Sequence, residues 1–169
     1  MMVLLTVLLA CHPTPELITA SDYNTKLGLA YLNTGDRPRA KKKLLMALSQ
    51  NPYSLTAHTA MAYFMEKIGD DEAASLYYEK AIKLAPKQGA PLNNYATFLC
   101  RRGAYQKADF YFQKAIHNVT YEHIAKALEN AGFCALMAKN KPKARDYFIH
   151  ALQHDPQCML AKEALVKLH

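Results

Sequence analysis

A pair of alanines seven residues apart recurs along this chain: Ala40 and Ala47, Ala74 and Ala81, Ala108 and Ala115, Ala144 and Ala151. Successive pairs are 34, 34 and 36 residues apart. A period near 34 residues is that of a helix-turn-helix unit, which is too small to bury its own apolar face and must stack on copies of itself. With 169 residues the chain holds four units and a terminal half-unit, enough for a continuous core.

With Ser21 as position 1, position 8 of the first helix of each unit is Gly28, Ala62, Ala96 and Gly132, and position 20 in the second helix is Ala40, Ala74, Ala108 and Ala144. Helix backbones approach closely only where side chains are small, so these positions mark the crossing of helices A and B. Bulky residues fill the space beside them: Leu44, Tyr78, Phe112 and Phe148 at position 24, and Tyr31, Met65 and Leu99 at position 11, where the fourth unit has Ala135. Gly35, Gly69 and Gly103 stand where helix A must end in a left-handed residue. The fourth unit has Lys139 there, and the neighbouring Asn140 is expected to take that conformation. Pro52, Pro86 and Pro156 stop helix B, and two residues inserted around 118–123 predict a longer or irregular connection, a possible bend.

These residues resemble the tetratricopeptide repeat family from Ser21 to Pro156, with Met159–Leu168 as a terminal half-repeat. The expected fold is an all-α tetratricopeptide repeat solenoid with repeats 21–54, 55–88, 89–122 and 125–158 and a terminal helix 159–168. Helices are predicted near 22–34, 37–50, 55–68, 71–84, 89–102, 105–118, 124–138, 141–154 and 157–168.

The N-terminus has a different character. Met1 to Ala10 is apolar, too short to span a bilayer, and ends at Cys11. Leu8-Leu9-Ala10-Cys11 resembles the bacterial lipobox, although no Lys or Arg precedes the apolar core. Residues 1–10 are therefore expected to be a lipoprotein-type signal, Cys11 the lipidated residue, and the stretch to residue 20 a short linker.

No nucleophile elbow, phosphate loop or HExxH motif occurs, so no enzyme activity, cofactor or small-molecule substrate is expected. His150 and His154 lack a third ligand and read as surface residues at a helix C-terminus, so no metal is expected either. Cys100 and Cys134 fall on successive A helices; an exported protein could bridge them, while buried thiols acting as small hydrophobes fit the spacing equally. The balance of 21 basic against 14 acidic residues, a net charge of +7, favours acidic partners. Arg37, Arg39, Lys41, Lys42 and Lys43 crowd one B helix, as a solvated convex face or a contact with anionic head groups. No basic and aromatic residues interleave as in nucleic-acid modules, so nucleic acid is not expected as a partner.

In the tetratricopeptide family the concave surface is built largely from A-helix positions 2, 5, 9, 12 and 13. Here this places Leu29, Leu32, Asn33, Thr59, Tyr63, Glu66, Asn93, Thr97, Arg101, Glu129, Phe133 and Met137 against a protein partner. The Lys and Asn of the chaperone-binding carboxylate clamp are missing from positions 5 and 9.

The blocks Leu27-Gly28-Leu29-Ala30-Tyr31-Leu32, Ala40-Lys41-Lys42-Lys43-Leu44-Leu45, Asn93-Asn94-Tyr95-Ala96-Thr97-Phe98-Leu99-Cys100 and Glu129-Asn130-Ala131-Gly132-Phe133-Cys134-Ala135-Leu136 resemble the type IV pilus biogenesis and stability proteins of the PilF/PilW group. That resemblance implies an outer-membrane lipoprotein facing the periplasm, acting as pilotin or assembly factor for the pilus secretin. The alternative is an adaptor of another envelope or cytoplasmic complex.

Overall fold

The computed structural model describes residues 13–118 and 120–168, so the expected signal and the lipidation of Cys11 lie outside the described residues. Nine helices are seen among the described residues: α1 (Pro15–Asn33), α2 (Arg37–Gln50), α3 (Leu55–Ile68), α4 (Asp71–Leu84), α5 (Gly89–Arg101), α6 (Tyr105–Ile116), α7 (Ile124–Met137), α8 (Lys141–His154) and α9 (Met159–Lys167). Odd-numbered helices are A helices and even-numbered ones B helices; α1, α3, α5 and α7 each pack on the following B helix and in turn on one another, and α9 packs on α8. The architecture is an all-α solenoid.

Helix ends follow local chemistry. The side chains of Asp36, Ser54, Asp70 and Asn140 each accept a hydrogen bond from the backbone N–H three residues on, at 3.0 to 3.1 Å, closing the first turns of α2, α3, α4 and α8. Thr14 does the same for α1, with Pro15 setting the first helical φ. This cap corrects the expected start at residue 22, because residues 15–20, read as linker, form the opening turns of α1.

The recurrent alanines are fully buried. Ala40, Ala74, Ala108 and Ala144, with Ala47, Ala81, Ala115 and Ala151, are all 0% exposed. The adjacent Leu44, Tyr78, Phe112 and Phe148 are buried too. Against Gly132 the fit is so close that a Cβ would lie 2.5 Å from the Phe148 ring, which explains the smaller residue where two other units carry alanine.

The turn of the fourth unit departs from expectation. Lys139 itself takes the left-handed conformation, with φ 59°, and Asn140 caps α8 instead. A side chain with a Cβ is strained there, by about 1 kcal/mol. Lys139→Gly is therefore expected to raise the melting temperature by about 2–4 °C in a thermal unfolding scan.

The two-residue insertion is a packed device. In the connection between α6 and α7, the Thr120 hydroxyl donates to the Lys87 carbonyl at 2.9 Å, and Tyr121 is buried among Leu92, Ala115 and Ala127. Tyr121 lies over Gly89, where a Cβ would come within 2.3 Å of its ring. The extra residues thus let the chain fold back and seal the start of α5. Beyond that seal a disulfide joins Cys100 of α5 to Cys134 of α7, with a Cα separation of 5.7 Å.

Candidate functional site: the groove across the A helices

A groove of about 870 Å³ crosses α1, α3, α5 and α7, with Tyr78 of α4 among its lining residues. Interaxial spacings of about 9 Å over three helix intervals give it a length of about 27 Å, or roughly eight residues of extended chain. Its apolar lining includes Leu29, Leu55, Ala60, Tyr63 and Pro91.

The polar groups are arranged with their hydrogens partly committed. Thr25, Thr59 and Thr97 each donate their hydroxyl to the carbonyl four residues earlier, at 2.8 to 2.9 Å, leaving oxygen lone pairs and methyl groups for a ligand. Asn130 donates to the Asn93 side-chain oxygen at 3.1 Å. That bond fixes both amides and leaves the Asn93 NH₂ as donor and the Asn130 oxygen as acceptor, the complement of a peptide backbone.

Arg101, the last residue of α5, also lines the groove. Its guanidinium binds both Glu66 oxygens, at 2.7 and 2.8 Å, across α5 and α3. Burial alone would lower the Arg101 pKa, but the hydrogen bonds and charge of Glu66 outweigh it and raise the value. Glu66 is held further by Tyr78, whose hydroxyl donates at 3.4 Å, and by Arg102, which donates to its backbone carbonyl at 3.3 Å. Burial, with Glu66 beside it, pushes the Tyr78 phenol well above its ordinary range. The bidentate pair is rigid, and it neutralises much of the Arg101 charge.

Comparison with known proteins identifies what kind of solenoid this is. The tetratricopeptide repeat family model matches residues 55–88. An uncharacterized Haemophilus influenzae protein is 34% identical over 121 residues, covering 72% of this chain and 68% of that protein. The chain belongs to the tetratricopeptide repeat family. The type IV pilus assembly protein PilF of Pseudomonas aeruginosa is 31% identical over 134 residues, covering 79% of this chain and 53% of PilF, so the chain spans about half the length of that relative. The solved structure of Pseudomonas aeruginosa PilF superimposes with a TM-score of 0.80 at 28% identity, covering 90% of this chain and 69% of that one. PilW, described as a widely conserved type IV pilus biogenesis factor, superimposes with a TM-score of 0.76 at 26% identity, covering 88% and 68%. This is a PilF/PilW-like tetratricopeptide repeat protein.

Within this repeat frame the groove gathers Leu29, Thr59, Tyr63, Asn93, Thr97 and Arg101 of the residues expected from sequence. Others lie elsewhere. Leu32 is 9% exposed and packs in the core with Leu44, Met61 and Phe64, because one helical turn beyond Leu29 the α1 face meets α2 and α3. Asn33 is exposed at the last residue of α1, outside the groove lining. Glu129 is buried, paired with Lys126 and accepting from the Cys158 thiol at 2.9 Å, so its carboxylate is turned to the start of α9. Phe133 packs edge-on against Phe148, with ring centroids 5.0 Å apart, and lines a separate cleft with Leu136 and Leu160 at the α9 end. Glu66 serves as the buried partner of Arg101, and Met137 lies outside the lining.

The structure adds position 6, which supplies Lys26, Ala60, Asn94 and Asn130, and fills position 2 with Asp22, Thr56, Ala90 and Lys126. The signal was the helical period, since positions 2, 5, 6 and 9 form one continuous face. Among the described residues, no group of three or more His, Cys, Asp or Glu could hold a metal, and no helix is long and apolar enough to cross a membrane.

Proposed function

We propose that this protein is a type IV pilus biogenesis scaffold that receives an extended segment of a partner protein in its concave groove, the partner being the pilus secretin. The observation that carries the reading is the groove itself: an open channel crossing four A helices, with amide donor and acceptor groups facing it beside an apolar floor. PilF/PilW likeness over most of the chain supports the pilus assignment. Holding a partner requires shape and hydrogen bonding, with no reacting group.

Lipidation at Cys11 and residence on the periplasmic face of the outer membrane belong to the same proposal. A disulfide between Cys100 and Cys134 supports an oxidising compartment, where such bonds persist. Radiolabelled palmitate should mark the wild-type protein and leave Cys11→Ala unlabelled; label retained on that variant excludes this residue as the anchor. Deleting the gene is expected to deplete secretin multimers and surface pili. Normal multimers in the deletion strain would refute the pilotin reading and leave an adaptor of another complex.

A further inference from the structure

Outside the groove, the most unusual surface is the outer face of α2. This helix carries Arg37, Arg39, Lys41, Lys42 and Lys43 and no acidic residue, whereas α4, α6 and α8 each include at least one carboxylate. Arg39 pairs with Asp36; among the described residues the other four cations have no carboxylate within ion-pair distance. Apart from Arg39, the charge is therefore concentrated and unpaired.

Apolar side chains stand beside it. Ala40, Leu44 and Ala47 face inward at 0% exposure, so the opposite face presents Lys41 and Lys42 and, one turn on, Leu45 at 47% and Met46 at 37% exposure. The Ser21 hydroxyl donates to the Ala47 carbonyl at 2.8 Å, fixing the last turn of α2 beside the early part of α1. There Leu17 and Ile18 are also more than 40% exposed, one turn before Ser21. Exposed apolar residues thus occur at the start of α1 and in the second half of α2, with Lys41 and Lys42 one turn before Leu45 and Met46.

We infer that the outer face of α2 rests on an anionic lipid surface, its lysines meeting head-group phosphates and Leu45 and Met46 entering the head-group boundary. Cations alone would suit any polyanion, but the adjoining apolar pair gains burial at a lipid boundary, which duplex DNA or an acidic polymer does not offer. Lysine stems lie along such a boundary with their ammonium groups in water. The surface is distinct from the groove and does not depend on lipidation of Cys11.

The test is flotation of the full chain with vesicles of phosphatidylcholine alone and of phosphatidylcholine with phosphatidylglycerol, compared with Lys41→Glu/Lys42→Glu. Both proteins keep the apolar N-terminus, so its contribution cancels. Anionic lipid should raise binding of the wild type, added salt should reduce that increment, and the charge reversal should cut it by at least about tenfold. Leu45→Ser/Met46→Ser should weaken binding to the anionic vesicles without removing its salt dependence. All four side chains are surface-exposed, and circular dichroism melting checks that each variant folds; Lys41→Gln/Lys42→Gln replaces the reversal if it does not. An increment absent from the wild type, or unchanged by the reversal, overturns the proposal. So does tighter binding of duplex DNA or polyglutamate than of anionic vesicles through the same lysines.

Discussion

Replacing Cys100 and Cys134 together by alanine is expected to lower the unfolding free energy by about 4 kcal/mol and the melting temperature by about 8–15 °C. The bridge closes a loop with a sequence separation of 34 residues, and the chain entropy that such a closure removes from the unfolded state gives that magnitude. Its position raises the effect. It ties α5 to α7 on either side of the inserted connection, where the repeat spacing changes and Tyr121 folds back over Gly89. A reductant should bring the wild type down toward the variant and leave the variant unmoved. Equal melting temperatures under oxidising conditions would show that the bridge contributes nothing.

Truncating Tyr63 to alanine is expected to weaken partner binding by about tenfold to a hundredfold while leaving the fold intact. Tyr63 is the A-helix aromatic residue of the groove lining, half-buried on α3, with Lys67 over its ring at 5.1 Å from the centroid. Rigid aromatic groups in desolvated grooves carry a disproportionate share of binding energy, and a loss of about 1.4–2.8 kcal/mol corresponds to that range. The measurement is titration of a purified secretin subunit against wild type and Tyr63→Ala. Leu76→Ala is the control, because Leu76 is 62% exposed on a B helix away from the groove. Equal affinity of Tyr63→Ala and wild type would place the contact elsewhere.

Residues of the repeat made the fold legible because its constraints are local and redundant. Small residues at the crossings, bulky residues beside them and turn glycines all repeat with one period. Where a single position had to decide alone, the sequence was less informative. Lys139 and Asn140 divide the turn and cap roles in a way composition does not announce, since both residues tolerate them in context. The opening turns of α1 depended on one capping threonine ahead of a proline, in a stretch that reads as linker.

The groove was legible for six of its eighteen lining residues. Positions 5 and 9 of the first three units line it, but Glu129 and Phe133, at the same positions of the fourth, do not. Their neighbours decide that: Lys126 and Cys158 hold the Glu129 carboxylate, and Phe148 receives the Phe133 ring. Such partners come from other helices and are invisible to a frame read one unit at a time. The Asn130–Asn93 bond likewise joins residues in different repeats, and a pattern within either repeat could not reveal it.

On the proposed function, the concave face, lined by Asn94 and its neighbours, holds the secretin. A photo-crosslinking amino acid placed at Asn94, and in a parallel strain at Leu76, tests it in living cells. The Asn94 probe is expected to capture the secretin subunit and the Leu76 probe to leave it free. Capture from Leu76 with none from Asn94 would place the secretin on the outer face instead.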